Sequence, residues 1–403
     1  MIISFDATLL ASIAFAVSFC GCGATLWLCR RFGWGADSTI SVQRLHRGFV
    51  PRLGGVPIGA AFTISILSAS LLYPEPWTHS LFLLLAVMLP TFIVGVTEDL
   101  TQRVGTRVRL LVTMLSAALG IGLLGALLNR INIPGVDTFL ASHWAAAVIL
   151  TLIAGAGVPH AINIVDGCNG LSSSVGITVF IGLGILSWQL GDTFIATTAL
   201  IAACATFGFT LWNFPLGKIF LGDGGAYSMG VLIAELSILL IVRHPQVSAW
   251  FALLLVIHPV WEVLFSCARR GRHSLRRMFE PDVRHLHQLV YRRVFEHAFE
   301  KGSPYSQAYA SAMAAATFTA WHATMLLLAL LFWNNSAALI ACILGFIVLY
   351  GVSYRLLMQH RSFITHGITK AVQRHHVMHA KHMMQNVLTV PDKQQPVGTD
   401  RDT

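Results

Sequence analysis

Asp223 is the only acid in a polar, glycine-rich interruption, NFPLGKIFLGDGGAYSMG (213–230), between two long apolar runs. Pro215 ends a preceding helix, because proline cannot continue the hydrogen-bond ladder. Gly222, Gly224 and Gly225 let the backbone approach a ligand closely or take positive φ. A lone carboxylate on a glycine turn ahead of an apolar helix suits a hard cation such as Mg²⁺. An ordinary tight turn between membrane helices would read the same, so the rest of the chain must decide.

Four further clusters carry chemistry. Glu98 and Asp99 end an apolar run and are followed by Arg103, Arg107 and Arg109. Adjacent carboxylates at a membrane boundary are costly unless solvated, paired or metal-bound. They are either a salt-bridged loop or part of a metal site shared with Asp223. Asn163, Asp166 and Asn169 stand at i, i+3 and i+6 within NIVDGCNGL. On a helix they would lie along one side and read hydroxyls, amides or a nucleobase edge; one of them could instead cap the next span. His285 and His287, in PDVRHLH with Arg292 and Arg293 downstream, suit anion contact better than zinc, since no further ligand cluster accompanies them. Arg47 and Arg52 flank Pro51 in HRGFVPRLGG (46–55) as phosphate-binding candidates. Glu235, Glu262, His258 and His160 are ionisable residues inside apolar runs, of which Glu262 stands nearest a cluster of arginines.

The elements that position these clusters are membrane helices. The 403-residue chain is 55% hydrophobic and 11% charged, with mean hydropathy +0.68. A soluble domain carries about twice that charged fraction. Apolar runs predict an all-α, polytopic protein of eleven spans: 8–29, 54–73, 81–97, 108–128, 143–162, 170–190, 193–212, 225–242, 247–268, 312–333 and 336–357. The first run lacks a basic flank and a cleavage site and reads as a retained span. Seven scattered cysteines show no zinc or disulfide spacing. No internal repeat is visible, which counts against a transporter.

Of the 27 Lys and Arg, all but Arg130 and Arg243 fall in alternate loops or the tail. The positive-inside rule then predicts an extracytoplasmic N-terminus and a cytoplasmic C-terminus. Residues 1–357 read as one transmembrane catalytic domain, with active-site loops on the cytoplasmic side that include 269–311. Residues 358–403 read as a basic cytoplasmic tail, partly disordered, with 365–386 as a surface amphipathic helix. All five polar clusters then share one face.

These motifs, in this order over residues 40–300, resemble the polyprenyl-phosphate N-acetylhexosamine-1-phosphate transferase family within glycosyltransferase family 4. That family includes phospho-N-acetylmuramoyl-pentapeptide translocase and the enzymes that start O-antigen and related glycans. The resemblance implies transfer of a sugar-1-phosphate from a UDP-sugar to undecaprenyl or another polyprenyl phosphate, with release of UMP. It places Asp99 and Asp223 at the family's Mg²⁺-associated aspartates (Mn²⁺ as substitute). Glu98 stands in the first aspartate's place, as an acceptor of a residual proton or a holder of the metal's waters. Asn163, Asp166 and Asn169 match the nucleotide-sugar motif, with Asn213 beside it, and Phe220 matches an aromatic that stacks on uracil. His285 and His287 match a histidine motif near the diphosphate, and Glu262 lies where many members carry aspartate.

Asn169, Gln288 and His160 also depart from the family pattern, and the departures resemble the O-antigen-initiating branch more than the peptidoglycan enzyme. The implied partners are the UDP-sugar, the lipid phosphate and membrane lipids, with no nucleic acid; a homodimer is compatible. The implied location is the bacterial inner membrane. The rival readings are a lipid or solute transporter or flippase, which would hold polar residues near the bilayer midplane, and a catalytically inactive scaffold. Reporter fusions after Arg277 and after Arg374 should both report cytoplasm; an extracytoplasmic signal from either would break the shared-face argument.

Overall fold

A computed structural model describes residues 5–33, 50–72, 76–271, 282, 284–296 and 306–359. Its helices are α1 (Phe5–Phe32), α2 (Gly55–Leu72), α3 (Pro76–Thr101), α4 (Thr106–Leu124), α5 (Val136–Ser142), α6 (Trp144–Val165), α7 (Leu171–Gln189), α8 (Thr193–Asn213), α9 (Gly222–Arg243), α10 (Ala249–Leu255), α11 (Ile257–Gly271), α12 (Leu286–Val290), α13 (Ser306–Leu331) and α14 (Ser336–Gln359). A π-helical turn, Tyr291–Phe295, continues α12. No strand occurs among the described residues. Packing divides the chain into residues 1–350 and 351–403; of the second unit only the end of α14 is described. The tail expected over 358–403 lies beyond the described residues from 360 onward, as does Arg47.

Among the described residues, ten helices are long and apolar enough to cross a membrane, and the expected all-α polytopic class is the one observed. They are apolar all round, the pattern of a helix buried on every side or facing lipid. Expected and observed spans agree closely except in two places. A short helix, α5, lies between the fourth and fifth expected spans, where no element is predicted. The single span expected over 247–268 is broken into α10 and α11, which meet at 78°. Pro259 is the physical reason. It stands three residues into α11, has no N–H for the Leu255 carbonyl, and its ring crowds that turn.

The most enclosed helix is α9. It packs on α2, α3, α4, α6, α7 and α8, and its residues from Gly222 to Ile241 are all buried. In a bilayer, helices associate by close van der Waals fit rather than by hydrophobic exclusion, so small residues decide where they cross. At Gly95 of α3 the backbones touch: an added Cβ would lie 2.5 Å from Gly224 Cα and 2.7 Å from the Asp223 carbonyl carbon. Neither atom is a flexible side-chain tip, so one helix would have to move. This crossing sets α3, and the acids at its end, against the start of α9.

Gly95→Ala should therefore destabilise by about 1–3 kcal/mol through overpacking. Gly122→Ala in α4, where nothing lies within 4 Å, should be neutral or slightly stabilising. Thermal unfolding midpoints in detergent check the pair; equal midpoints would refute the close crossing.

Candidate active site

The site is assembled around the first turn of α9. Asp99, near the end of α3, is buried and accepts hydrogen bonds from two backbone amides there, Asp223 N at 2.8 Å and Gly224 N at 2.9 Å. These are among the N–H groups a helix start leaves without partners, and the carboxylate charge also meets the positive end of the helix dipole. Gly222 has φ +74, and an added Cβ there would run into the Arg52 carbonyl and the Asp99 carboxylate. Only glycine lets the chain enter the helix at that angle.

Asp223 is buried, and both its oxygens are held by guanidinium groups. Arg52 Nη2 donates to Oδ1 at 3.2 Å and Arg109 Nη1 donates to Oδ2. Arg52 Nε also lies 3.9 Å from Asp99 Oδ1. Arg52 is carried by the segment before α2, which is tied to the segment before α9 by three backbone bonds: Phe220 N to the Pro51 carbonyl, Gly54 N to the Phe220 carbonyl and Gly55 N to the Leu221 carbonyl. Arg109 is in the first turn of α4, while Arg103 and Arg107 point to solvent. Glu98 Oε2 accepts from Val104 N at 2.7 Å and so holds the α3–α4 turn that delivers Arg109.

The Asn163, Asp166 and Asn169 set departs from the expected single helical side. α6 ends at Val165, and Asp166 to Gly170 form a glycine-bearing turn that helical i, i+3 spacing does not describe. Asn163 Nδ2 donates to the Tyr227 hydroxyl at 3.1 Å. Asp166, half-buried, accepts from Ser172 Oγ at 2.5 Å and from the Gly222 amide. Burial pushes its carboxyl up to about 6, with Ser172 and the Arg52 charge opposing. Asn169 and Asn213 are buried and engaged by backbone. Asn169 Nδ2 donates to the Pro215 carbonyl at 2.9 Å; Asn213 Oδ1 accepts from Gly170 N at 2.6 Å and its Nδ2 donates to the Ile219 carbonyl at 2.8 Å. These two amides lock the 166–170 turn to the 214–221 turn. Neither Asp166 nor Asn169 caps α7, whose N-cap position is Gly170. Phe220 is half-buried on the strap that carries the Gly54 contact.

The histidine loop reaches the same place through Gly167. An added Cβ on Gly167 would lie 2.7 Å from His287 Nε2, so the ring sits against that turn. His287 is fully buried, and burial pushes its imidazole below the usual range against the pull of Glu262. His285 lies parallel to it, ring centroids 5.6 Å apart. Glu262 joins both: its Oε1 is 3.1 Å from His285 Nδ1 and its Oε2 is 4.0 Å from His287 Nδ1 and 3.6 Å from His258 Nε2. Asp282 anchors the loop, accepting from Ser266, Arg269 and the Arg284 amide. Burial raises its carboxyl, but the Ser266 hydroxyl, His285 and Arg269 more than offset that and hold it below the usual range. Sequence reasoning left out Tyr227, Ser172 and Tyr350. It named Arg109 only as one of a charge run; its place one turn into a helix, facing the acids, was the available signal.

A divalent cation fits this donor set. Asp99, Asp223 and Asp166 offer only hard oxygen atoms, and their three carboxylates outnumber the two arginines among them. No three His, Cys, Asp or Glu side chains group closely enough to hold an ion alone among the described residues. Mg²⁺ commonly takes one or two carboxylates and completes its shell with water and phosphate oxygens.

Residues 81–241 match the family model of glycosyl transferase family 4. The chain is 25% identical over 260 residues to a probable undecaprenyl-phosphate N-acetylglucosaminyl 1-phosphate transferase of Bacillus subtilis, covering 64% of this chain and 70% of that one. It is 27% identical over 254 residues to the undecaprenyl-phosphate alpha-N-acetylglucosaminyl 1-phosphate transferase of Thermotoga maritima, covering 62% and 72%. It is 31% identical over 200 residues to the phospho-N-acetylmuramoyl-pentapeptide-transferase of Shouchella clausii, covering 47% and 60%.

Asp99→Ala should leave two buried amides without an acceptor, at a cost of about 1–3 kcal/mol for each. The expected result is a clear drop in unfolding temperature in detergent, larger than for Arg103→Ala; equal temperatures would mean that Asp99 does not hold the start of α9.

Proposed function

The membrane bundle belongs to glycosyl transferase family 4, and from that premise we propose that this chain transfers an N-acetylhexosamine-1-phosphate from a UDP-sugar to undecaprenyl phosphate. The observation that carries this reading is the Asp223 cluster: two buried aspartates at a helix start with Arg52 and Arg109 on one of them. Two anionic reactants, a nucleotide diphosphate and a lipid phosphate, meet only where cationic groups offset their repulsion. Arg52 and Arg109 are partly exposed and able to turn from Asp223 to phosphate oxygens.

In the reaction, an oxygen of the lipid phosphate attacks the sugar-bearing phosphorus in line. The bond from that phosphorus to the bridging oxygen of UMP breaks, and UMP leaves with the electron pair. The products are a polyprenyl diphosphate sugar and UMP. A phosphate monoester has its second pKa near 6, so the nucleophile is already ionised at neutral pH and needs no strong base. Mg²⁺ held by Asp223 and Asp99 would neutralise charge on the diphosphate and the leaving group. Asn163 and Asp166 are the half-buried polar groups beside this centre available to the donor's sugar or base, and Phe220 offers a ring face to the uracil. The charge asymmetry of the loops supports an active face on the cytoplasmic side of the inner membrane.

A transfer of phospho-N-acetylmuramoyl-pentapeptide is the second reading, favoured by the 31% identity with the Shouchella clausii protein. Purified protein with Mg²⁺, undecaprenyl phosphate and a panel of UDP-N-acetylhexosamines and UDP-N-acetylmuramoyl-pentapeptide separates them by UMP release. The expected donor is a UDP-N-acetylhexosamine; turnover of the muramoyl-pentapeptide alone would reverse the order, and flux of lipid with no UMP would favour a transporter. Asp223→Asn, nearly isosteric, should lower UMP release on the order of a thousandfold. A rate within a few-fold of wild type would remove Asp223 from the reaction.

A further inference from the structure

Glu262 has more partners than a residue that ligates substrate or metal would keep. It is buried in α11, and its Oε1 is the acceptor for three groups at once: His285 Nδ1 at 3.1 Å, Leu286 N at 2.9 Å and the Tyr350 hydroxyl at 2.9 Å. Those three come from the histidine loop, the start of α12 and the body of α14. Tyr350 is itself fully buried, with its ring edge-on to Phe265 at 5.2 Å, so its hydroxyl has little freedom. Behind the carboxylate, His258 lies 3.6 Å from Oε2, and His258 Nδ1 is 3.0 Å from His322 Nε2 on α13. The three hydrogen bonds all fall on Oε1 and fix that oxygen in place, while Oε2 is buried and accepts none from the described residues.

The consequence falls on His285. A carboxylate cannot donate, so the hydrogen of the His285–Glu262 bond sits on Nδ1 whether the ring is neutral or charged. That bond uses Nδ1, so Nε2 is the other polar atom of the ring and the one left for a ligand. His287 differs: it is closed off behind Gly167 and packs flat against His285. The second ring therefore backs the first, and His285 is the member of the pair that a bound anion can reach.

We infer that Glu262 and Tyr350 are positioning residues for the transfer reaction, holding His285 with its hydrogen on Nδ1 so that Nε2 faces the donor's diphosphate. With its hydrogen fixed on Nδ1, the ring has Nε2 alone to turn to a phosphate oxygen. Tyr350 acts through Glu262, and Glu262 through His285; neither touches substrate. The inference rests on the proposed transfer for the meaning of His285, but the tautomer stands on geometry alone.

The test has two arms. In the first, wild type, Tyr350→Phe, His285→Ala and the double variant are compared with radiolabelled donor, so that residual rates are measurable. Tyr350→Phe should lower kcat about tenfold, with KM for the lipid phosphate within twofold and an unchanged elution profile. In the His285→Ala background the same substitution should change kcat less than twofold, because the residue it acts through is gone. An equal factor in both backgrounds, or no loss in Tyr350→Phe alone, would overturn the inference. In the second arm, ¹⁵N-histidine NMR spectra of wild type and His285→Ala identify the His285 signals by difference. They should show hydrogen on Nδ1; a ring with hydrogen on Nε2 alone would overturn it. If wild type releases UMP from no donor in the panel, the transfer reading fails, and the spectrum still decides the positioning.

Discussion

The start of α9 has to be satisfied inside a membrane protein. A helix beginning in bulk water leaves its first amides to solvent; one that is buried from its first residue cannot. Asp99 meets that demand with its two oxygens on the Asp223 and Gly224 amides. Everything else in the site follows from placing an acid there. Asp99 must come from the end of another helix, so α3 must cross α9 closely, which Gly95 permits. An anionic cap beside the acid of Asp223 then requires cations, and Arg52 arrives from the segment before α2 and Arg109 from the first turn of α4. One hydrogen-bonding requirement thus draws three separate parts of the chain to a point.

The remaining loops are joined in the same manner, by side chains that bind backbone. Asn213 and Asn169 tie the 166–170 turn to the strap before α9, Glu98 closes the α3–α4 turn, and Glu262 pins the start of α12. Each replaces a water that a surface loop would have used. The arrangement gives the face a rigid backbone while Asn163, Asp166 and Phe220 keep some access. A reacting centre between two bulky anions benefits from such rigidity, since groups already oriented need no reorganisation when charge shifts.

Much of this was legible before any coordinates. Bilayer thickness fixes helix length, so the ten unbroken spans stand out as apolar runs, and the polar clusters between them mark the loops that converge. What escaped has a common cause. An asparagine reads the same whether its amide meets a sugar or a carbonyl, so the backbone contacts of Asn169 and Asn213 are invisible in the sequence. Both halves of the broken span are apolar, so hydropathy passes over the 78° bend and only Pro259 marks it. Tyr350 lies in an apolar run where its ring blends with its neighbours; its hydroxyl matters only because α14 brings it to Glu262, 88 residues away in the chain.

The division of labour between the two acid clusters follows from what surrounds each. Among the described residues, the side-chain carboxylate of Asp223 is paired with two partly exposed arginines, which anionic substrates can draw away; in the proposed transfer this would free its oxygens for a cation. Glu262 is bound by a backbone amide, a buried tyrosine and histidines, none of which a phosphate can remove without opening the bundle. Two carboxylates at one face of one membrane protein thus serve opposite ends: the first is held by partners that substrate can compete for, the second by partners it cannot. In the proposed transfer the exchangeable acid would serve charge compensation, and the fixed acid would keep a histidine in one orientation throughout.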